Sequence, residues 1–345
     1  MERLRIGFIG AGDNTRRRHL PGFASLPGIE PAVVCNRSRE SSQAVAAAFG
    51  IPRVAEAWRA VVADPAVDAI CLGTWPYLHA EVTCAALAAG KHVLTEARMA
   101  ADLREAEAML AAAEARPDLV AQIVPSPFSL PFDATIQALL QAEALGSLRE
   151  CRLVHLFDAA ADSAAPLSWR MDRRLSGLNT MTLGIHYEML QRWLGAPDPV
   201  SVRADAACFT PARQDPATGE LRTVEIPETI DAVATYRDGF RSAYHVSAVH
   251  RGPARLELWL SGSHATLHYD LLQQTVALAS GDAAMQAVHP TPGTAGEWQV
   301  EADFVASIRE GKPVTLTSFR DGVRYMRFTQ RVHESLANGG MTQAW

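Results

Sequence analysis

No apolar run in this 345-residue sequence approaches the ~20 residues that a membrane-spanning helix needs. A bilayer-crossing protein is therefore not expected. Cysteine is scarce: Cys35, Cys71, Cys84, Cys151 and Cys208 are odd in number, widely spaced and free of CxxC pairs, so they read as buried reduced thiols. Positive charge is lacking too, since Lys and Arg total 32 against 38 Asp and Glu, a formal net charge of −6. The only basic block is Arg16-Arg17-Arg18, which argues against a nucleic-acid or anionic-membrane partner. The histidines have no metal-ligand spacing, so no catalytic metal is expected. The chain opens into a strand-like run, Leu4 to Ile9, with no signal-peptide core, and a cytoplasmic protein is the expectation.

What is present is ample apolar material, 48% of residues, in a chain long enough for two domains at about 100 to 200 residues each. The first third alternates short apolar runs (Leu4–Ile9, Ala32–Cys35, Ala69–Leu72, His92–Leu94, Leu119–Val124) with helical stretches (Ser41–Phe49, His79–Ala89, Leu103–Ala115). That rhythm predicts a doubly wound parallel sheet covered by helices. The prolines of Val124-Pro125-Ser126-Pro127 mark a boundary, which gives domains 1–123 and 124–345. The second domain reads as α+β, with a large, mostly antiparallel sheet. In it Leu256, Leu258 and Leu260 face one way, as do Leu267 and Tyr269, and Asp238-Gly239 and Ser261-Gly262 are placed to turn hairpins. The Pro-, Thr- and Gly-rich stretch from Ala207 to Pro227 reads as a long loop, and two closing helices fall near Val300–Arg309 and Ser318–Leu336.

Gly10-Ala11-Gly12-Asp13-Asn14-Thr15 follows the first strand directly and leads into a helix. The first glycine permits a tight turn, the second lets backbone approach a pyrophosphate, and the helix start offers unpaired N–H groups to the anion. Thr15 stands where a third glycine would complete this Rossmann fingerprint. The ribose-recognition position, about 20 residues further on, holds Asn36-Arg37-Ser38 in place of an acid. An amide, a guanidinium and a hydroxyl suit a 2′-phosphate, so NADP is expected, with NAD as the second choice.

The Gly10 turn, the runs Thr74-Trp75-Pro76-Tyr77-Leu78-His79-Ala80-Glu81 and Ala89-Gly90-Lys91-His92-Val93-Leu94-Thr95-Glu96, then Ser168-Trp169-Arg170, Leu183-Gly184-Ile185-His186 and Asp303-Phe304-Val305 together resemble the Gfo/Idh/MocA family of nicotinamide-dependent oxidoreductases. The resemblance implies a Rossmann domain, then an α/β domain with an open sheet that often makes a dimer interface. It also implies a homodimer or homotetramer, and hydride chemistry on a sugar-like or cyclic polyol small molecule. Two positions depart from it. The family's Glu-Lys-Pro is here Glu96-Ala97-Arg98, and its Asp-x-Gly-x-His is Thr182-Leu183-Gly184-Ile185-His186. The usual lysine and carboxylate are both missing.

His186 is then the expected proton-transfer residue, with Arg98 and Tyr187 as the nearest candidates to polarise the reacting oxygen. The resemblance places Glu96 near the nicotinamide ribose, Thr74, Trp75 and His79 around the cofactor, and Trp169, Arg170 and Thr182 toward the substrate. Core packing is the alternative for Trp75 and helix capping for His79. Asn179 is set to bond a polar substrate or to cap a helix. Two other readings follow from the missing groups. A retained nucleotide, reoxidised within one turnover, would permit elimination, epimerisation or glycoside cleavage through a transient keto group. Alternatively, the protein is a nucleotide-binding sensor or assembly subunit without turnover.

Overall fold

The run Leu4–Ile9, apolar apart from Arg5, forms β1, flanked on both sides in a parallel sheet by β2 (Ile29–Cys35) and β3 (Ala69–Leu72). β4 (His92–Thr95) and β5 (Ala121–Ile123) complete the order β2-β1-β3-β4-β5. Strands buried on both faces lose polar alternation, which is why these segments read as mostly apolar runs without a period of two. β2 begins earlier than the expected Ala32 and passes through Pro31, which an edge strand tolerates because no ladder runs along its outer side there, the single outer bridge being Val34 to Val54. The helices start where their caps dictate: Ser38 Oγ accepts from Ser41 N–H ahead of Arg39–Phe49, and the Asp102 carboxylate from Glu105 N–H ahead of Leu103–Glu114.

This computed structural model describes residues 3–195, 197–290 and 296–345. The chain divides into two compact units, Met1–Pro125 with Gln299–Met326, and Ser126–Trp298 with Arg327–Trp345. These are not the contiguous halves 1–123 and 124–345: the helix Val300–Glu310 counts with the first unit, and the helix Phe319–Ala337 supplies residues to each.

In the second unit the chain continues through β6 (Leu148–Leu156), β7 (Ser201–Ala207), β8 (Ala212–Gln214), β9 (Leu221–Thr223), β10 (Thr229–Thr235), β11 (Arg241–Ser247), β12 (Arg255–Gly262), β13 (Ala265–Asp270), β14 (Thr275–Ser280), β15 (Gln286–Val288) and β16 (Gln343–Ala344). Nine of these form one sheet in the order β15-β14-β13-β12-β6-β11-β10-β7-β16, antiparallel except where β6 runs parallel to β11. Leu256, Leu258, Leu260, Leu267 and Tyr269 are buried on one face, each leucine contributing about 2 kcal/mol by leaving water. The helix Leu183–Leu194 lies on that face, with Tyr187 against Tyr244 and Trp193 stacked near Tyr269.

Three expectations need correction. The stretch 207–227 is not simply a loop, because β8 and β9 pair within it as a separate two-stranded ribbon. Asp238-Gly239 does turn β10 into β11, but Ser261-Gly262 ends β12 in a bulge and the turn itself is Ser263-His264. Cys35, Cys71 and Cys151 are buried thiols, whereas Cys84 is half-buried and Cys208 exposed. No helix among the described residues is long and apolar enough to cross a membrane.

Candidate functional site

The chain leaves β1 at Gly10, whose N–H donates to Cys35 O (2.8 Å), while Gly73, just after β3, donates to Ile9 O (2.8 Å). The ends of β1, β2 and β3 are thereby drawn into one crevice, at the place where the order of a doubly wound sheet reverses. Gly10 has φ +78°, and a Cβ there would come within 2.6 Å of Thr74 N, so only glycine fits. The crevice is a cavity of about 490 Å³ lined by Gly10, Gly12, Asn36, Arg37, Ser38, Thr74 and Trp75, with Arg16 also at its wall. Seven of the residues expected to hold a dinucleotide are thus brought together.

Their roles differ from one another. The amide of Asn36 is spent internally, its Oδ1 accepting from Ala11 N–H (2.7 Å) and its Nδ2 donating to Ser41 Oγ (2.9 Å), so it shapes the glycine turn. Ser38 Oγ caps a helix and keeps its own proton to donate. Arg37 is exposed, with its guanidinium 5.3 Å from the Trp75 ring centroid. Glu56, also in the lining, is paired with Arg39 (2.8 Å). A cavity with a glycine turn, an exposed guanidinium and an indole fits a dinucleotide.

Asp13, Asn14, Thr15, His79 and Glu96 do not line it. Asp13 pairs with Arg17 at the surface. Thr15 is buried with its hydroxyl beside Gly73, inside a wide π-turn, Thr15–His19, that replaces the regular helix start expected there. His79 is buried, and its Nδ1 faces the carbonyls of Arg98 (2.9 Å) and Met99 (3.2 Å) and its Nε2 that of Thr74 (3.0 Å). It ties two turns together rather than capping its helix, and burial lowers its pKa against the pull of those carbonyls.

Glu96, Asn14 and two residues the sequence did not single out form a buried polar chain. Asn14 Nδ2 donates to Glu96, whose Oε1 also meets His19 Nε2 (3.0 Å), and His19 Nδ1 bonds the Glu301 carboxylate. Burial alone would lower the His19 pKa, but Glu301 and Glu96 outweigh it and raise it to about 9. Burial likewise pushes the Glu96 carboxyl up, and His19 and Asn14 hold it below its usual range. Arg98 follows Ala97 and is 6% exposed.

In the second unit His186 is fully buried on the helix Leu183–Leu194. Its Nε2 lies 2.8 Å from Thr182 Oγ1 and 2.9 Å from Nδ1 of His155, a β6 residue that no motif marked. Thr182 Oγ1 is also 2.9 Å from His155 Nδ1, which closes a ring of three contacts. Burial, then the neighbouring His155, push the His186 pKa well below its ordinary value, and burial pulls His155 to about 4. Phe128 lies 5.4 Å from the His186 ring, and Phe157 4.6 Å from that of His155. Tyr187, by contrast, is stacked on Phe328 at 4.2 Å within the core. As the helix neighbour of His186 it turns to another side, so the catalytic expectation for Tyr187 is contradicted. Arg170 is exposed, 4.3 Å from the Trp169 ring. Asn179 is buried and donates to Ser176 O (2.6 Å), capping the short helix Arg173–Ser176. Among the described residues no group of three His, Cys, Asp or Glu side chains is arranged to hold a metal.

Residues 4–123 match the family model described as "Oxidoreductase family, NAD-binding Rossmann fold", and residues 134–268 match that of the GFO/IDH/MocA C-terminal domain. Levoglucosan dehydrogenase of Pseudarthrobacter phenanthrenivorans is 28% identical over 203 residues, which cover 56% of this chain and 52% of that protein. A dTDP-3,4-didehydro-2,6-dideoxy-alpha-D-glucose 3-reductase of Streptomyces violaceoruber is 34% identical over 183 residues, covering 53% and 52%. The chain thus spans about half the length of these curated relatives. Among solved structures, an oxidoreductase domain protein from Kribbella flavida has a TM-score of 0.89 at 26% identity, covering 100% of this chain and 99% of that one. Levoglucosan dehydrogenase in complex with NADH and L-sorbose has a TM-score of 0.88 at 22% identity, covering 99% and 98%, a likeness of fold.

Proposed function

The chain belongs to the Gfo/Idh/MocA family of oxidoreductases, and from that premise we propose that it oxidises or reduces a sugar-like or cyclic polyol substrate with NADP as the preferred nucleotide. The observation that carries the reading is the cavity at the ends of β1 and β3, where the Gly10–Gly12 turn meets Arg37 and Arg16. A pyrophosphate would lie on the Gly10–Gly12 turn, and a 2′-phosphate would be met by the Arg37 guanidinium and the Ser38 hydroxyl, no carboxylate standing at the end of β2. A bound nicotinamide supplies the acceptor or donor of hydride. The protein must then manage the proton of the substrate hydroxyl. His186, uncharged at neutral pH because it is buried, accepts that proton in the oxidative direction. The sugar-like substrate class rests on the names of the relatives, among them a 1,5-anhydro-D-fructose reductase of Ensifer adhaerens.

The test begins with tryptophan fluorescence titrations of NADPH and NADH. We expect tighter binding of NADPH, and Arg37→Ala should weaken NADPH by about tenfold or more while leaving NADH nearly unchanged. Equal loss for both nucleotides would sink the phosphate assignment. Turnover is then followed at the nicotinamide absorbance with levoglucosan, 1,5-anhydro-D-fructose and D-glucose. His186→Ala should lower kcat by at least ~10²-fold. Undiminished turnover in that variant would remove His186 from the chemistry.

A further inference from the structure

His186 faces a difficulty that its surroundings define. It sits fully buried, no carboxylate stands at position 182, and the phenyl ring of Phe128 lies against it, so an imidazolium formed there would be held in a dry site. Its Nδ1 has no hydrogen-bond partner among the described residues. Its Nε2 faces Thr182 Oγ1 and His155 Nδ1, at 2.8 and 2.9 Å, and those two atoms are 2.9 Å from each other. An imidazole nitrogen either carries a proton or offers a lone pair, never both, whereas a hydroxyl donates and accepts at once. Three mutual contacts among two ring nitrogens and one hydroxyl are therefore satisfied only when one nitrogen is protonated and the other bare. The Thr182 hydroxyl accepts from the first and donates to the second, and it can do so with either assignment. The ring thus has two states, distinguished by which of the two nitrogens carries the proton, and the unlike surroundings of the imidazoles separate them in energy. His155 is the less buried imidazole of the two, and its Nε2 takes no part in the ring.

We propose that His155 is a positioning residue for His186, which with Thr182 fixes the tautomer of His186 and carries its proton outward in place of the missing carboxylate. The passage balances. A proton arrives on His186 Nδ1, the proton on His186 Nε2 moves to His155 Nδ1, and the proton on His155 Nε2 leaves to a solvent water. Neither ring keeps a net charge, and the Thr182 hydroxyl reverses its donor direction to match. The reverse passage restores the first state. In the oxidative direction the arriving proton is that of the substrate hydroxyl, so this step rests on the reading given above. The hydrogen-bonded ring itself does not.

Two measurements test it separately, on the full-length protein. The first needs no turnover: long-range proton–nitrogen correlation spectra of the histidine rings in wild type, His155→Leu and His155→Gln. His186 is expected to show one dominant tautomer, which His155→Leu shifts and His155→Gln largely preserves, since a glutamine amide can still donate or accept there. An unchanged His186 signal in His155→Leu overturns the proposal. The second compares kinetics with the best substrate of the panel above. His155→Leu should lower kcat at least tenfold with KM within about twofold, and adding Thr182→Asp should recover fivefold or more, because a carboxylate then takes over the support of the imidazole. A Thr182→Asp/His155→Leu protein no faster than His155→Leu overturns the relay. A wild-type protein that turns over no member of the panel counts against the oxidoreductase reading, and the ring spectra then decide this proposal alone.

Discussion

His19 Nδ1 is hydrogen-bonded to the carboxylate of Glu301, a residue 282 positions further along the chain. The same ring meets Glu96 through Nε2 at 3.0 Å, and the first unit is thereby tied to its own late helix, Val300–Glu310, by a buried cation between two carboxylates.

This arrangement makes stability sensitive to alkali. The His19 pKa rises from an ordinary 6.5 to about 9 on folding, so the folded chain holds a proton that the unfolded chain releases. The stabilisation is fully present below pH 6.5, declines between pH 6.5 and 9, and is gone above it. The shift corresponds to about 3 kcal/mol. Melting temperatures recorded from pH 6 to 10 should fall across that window, and Glu301→Gln should lower the melting temperature at pH 6 while flattening the alkaline slope. Parallel curves for the two proteins would show that His19 does not titrate as described.

Gly10 and Gly12 offer a second contrast, within one turn. At Gly10 a Cβ would strike the backbone of Thr74 at 2.6 Å from a residue with φ +78°, whereas at Gly12 the nearest atom would be 3.7 Å away. Gly10→Ala should therefore destabilise the fold, by about 1–3 kcal/mol from the backbone strain alone. Gly12→Ala should fold with an unchanged melting temperature and lose nucleotide affinity by about tenfold, since its methyl group would stand where a pyrophosphate needs bare backbone. Thermal melts and nucleotide titrations on both proteins separate the two effects. A Gly12→Ala protein with wild-type affinity would move the phosphate site off this turn.

How far the sequence disclosed these features depended on whether the cause was local. β1 and β3 were legible to the residue because a run that is all-apolar, or apolar but for Arg5, ends at a glycine. The cavity residues Gly10, Gly12 and Arg37 were legible because turn, strand and helix occur in fixed order. His155 gave no signal: it lies at the inward phase of a strand whose neighbours on that face are apolar, and its partner Thr182 is brought to it only by the packing of a helix on the sheet. His19 and Glu301 were invisible for the same reason, as no spacing rule links residues at opposite ends of a chain. Tyr187 was misread because adjacency to His186 in sequence is divergence on a helix. The β8–β9 ribbon was hidden by its own composition, since Pro, Thr and Gly suit a loop and leave its three-residue strands too short to show a period.

That ribbon is held by a second buried ion pair, and the pair should not behave as an isolated one. Arg213 and Glu228 are 3.0 Å apart with side chains 0% and 1% exposed. The guanidinium also donates to the carbonyls of Ala160 (2.9 Å), Asp162 (2.6 Å) and Ala165 (3.0 Å), and the carboxylate accepts from the N–H groups of Phe209 (2.6 Å) and Thr210 (2.9 Å). Removing one partner, as in Arg213→Met or Glu228→Leu, leaves a buried uncompensated charge and should cost about 3–5 kcal/mol. In an isolated pair the double substitution would recover most of that loss, because no buried charge is then left to desolvate. Here the double variant also removes five hydrogen bonds to the backbone, three to carbonyls and two from N–H groups, each worth about 1 kcal/mol. Arg213→Met/Glu228→Leu should therefore remain destabilised by at least ~3 kcal/mol in urea titrations. Near wild-type stability of the double variant would mean that the pair serves itself alone and that the ribbon is held by other contacts.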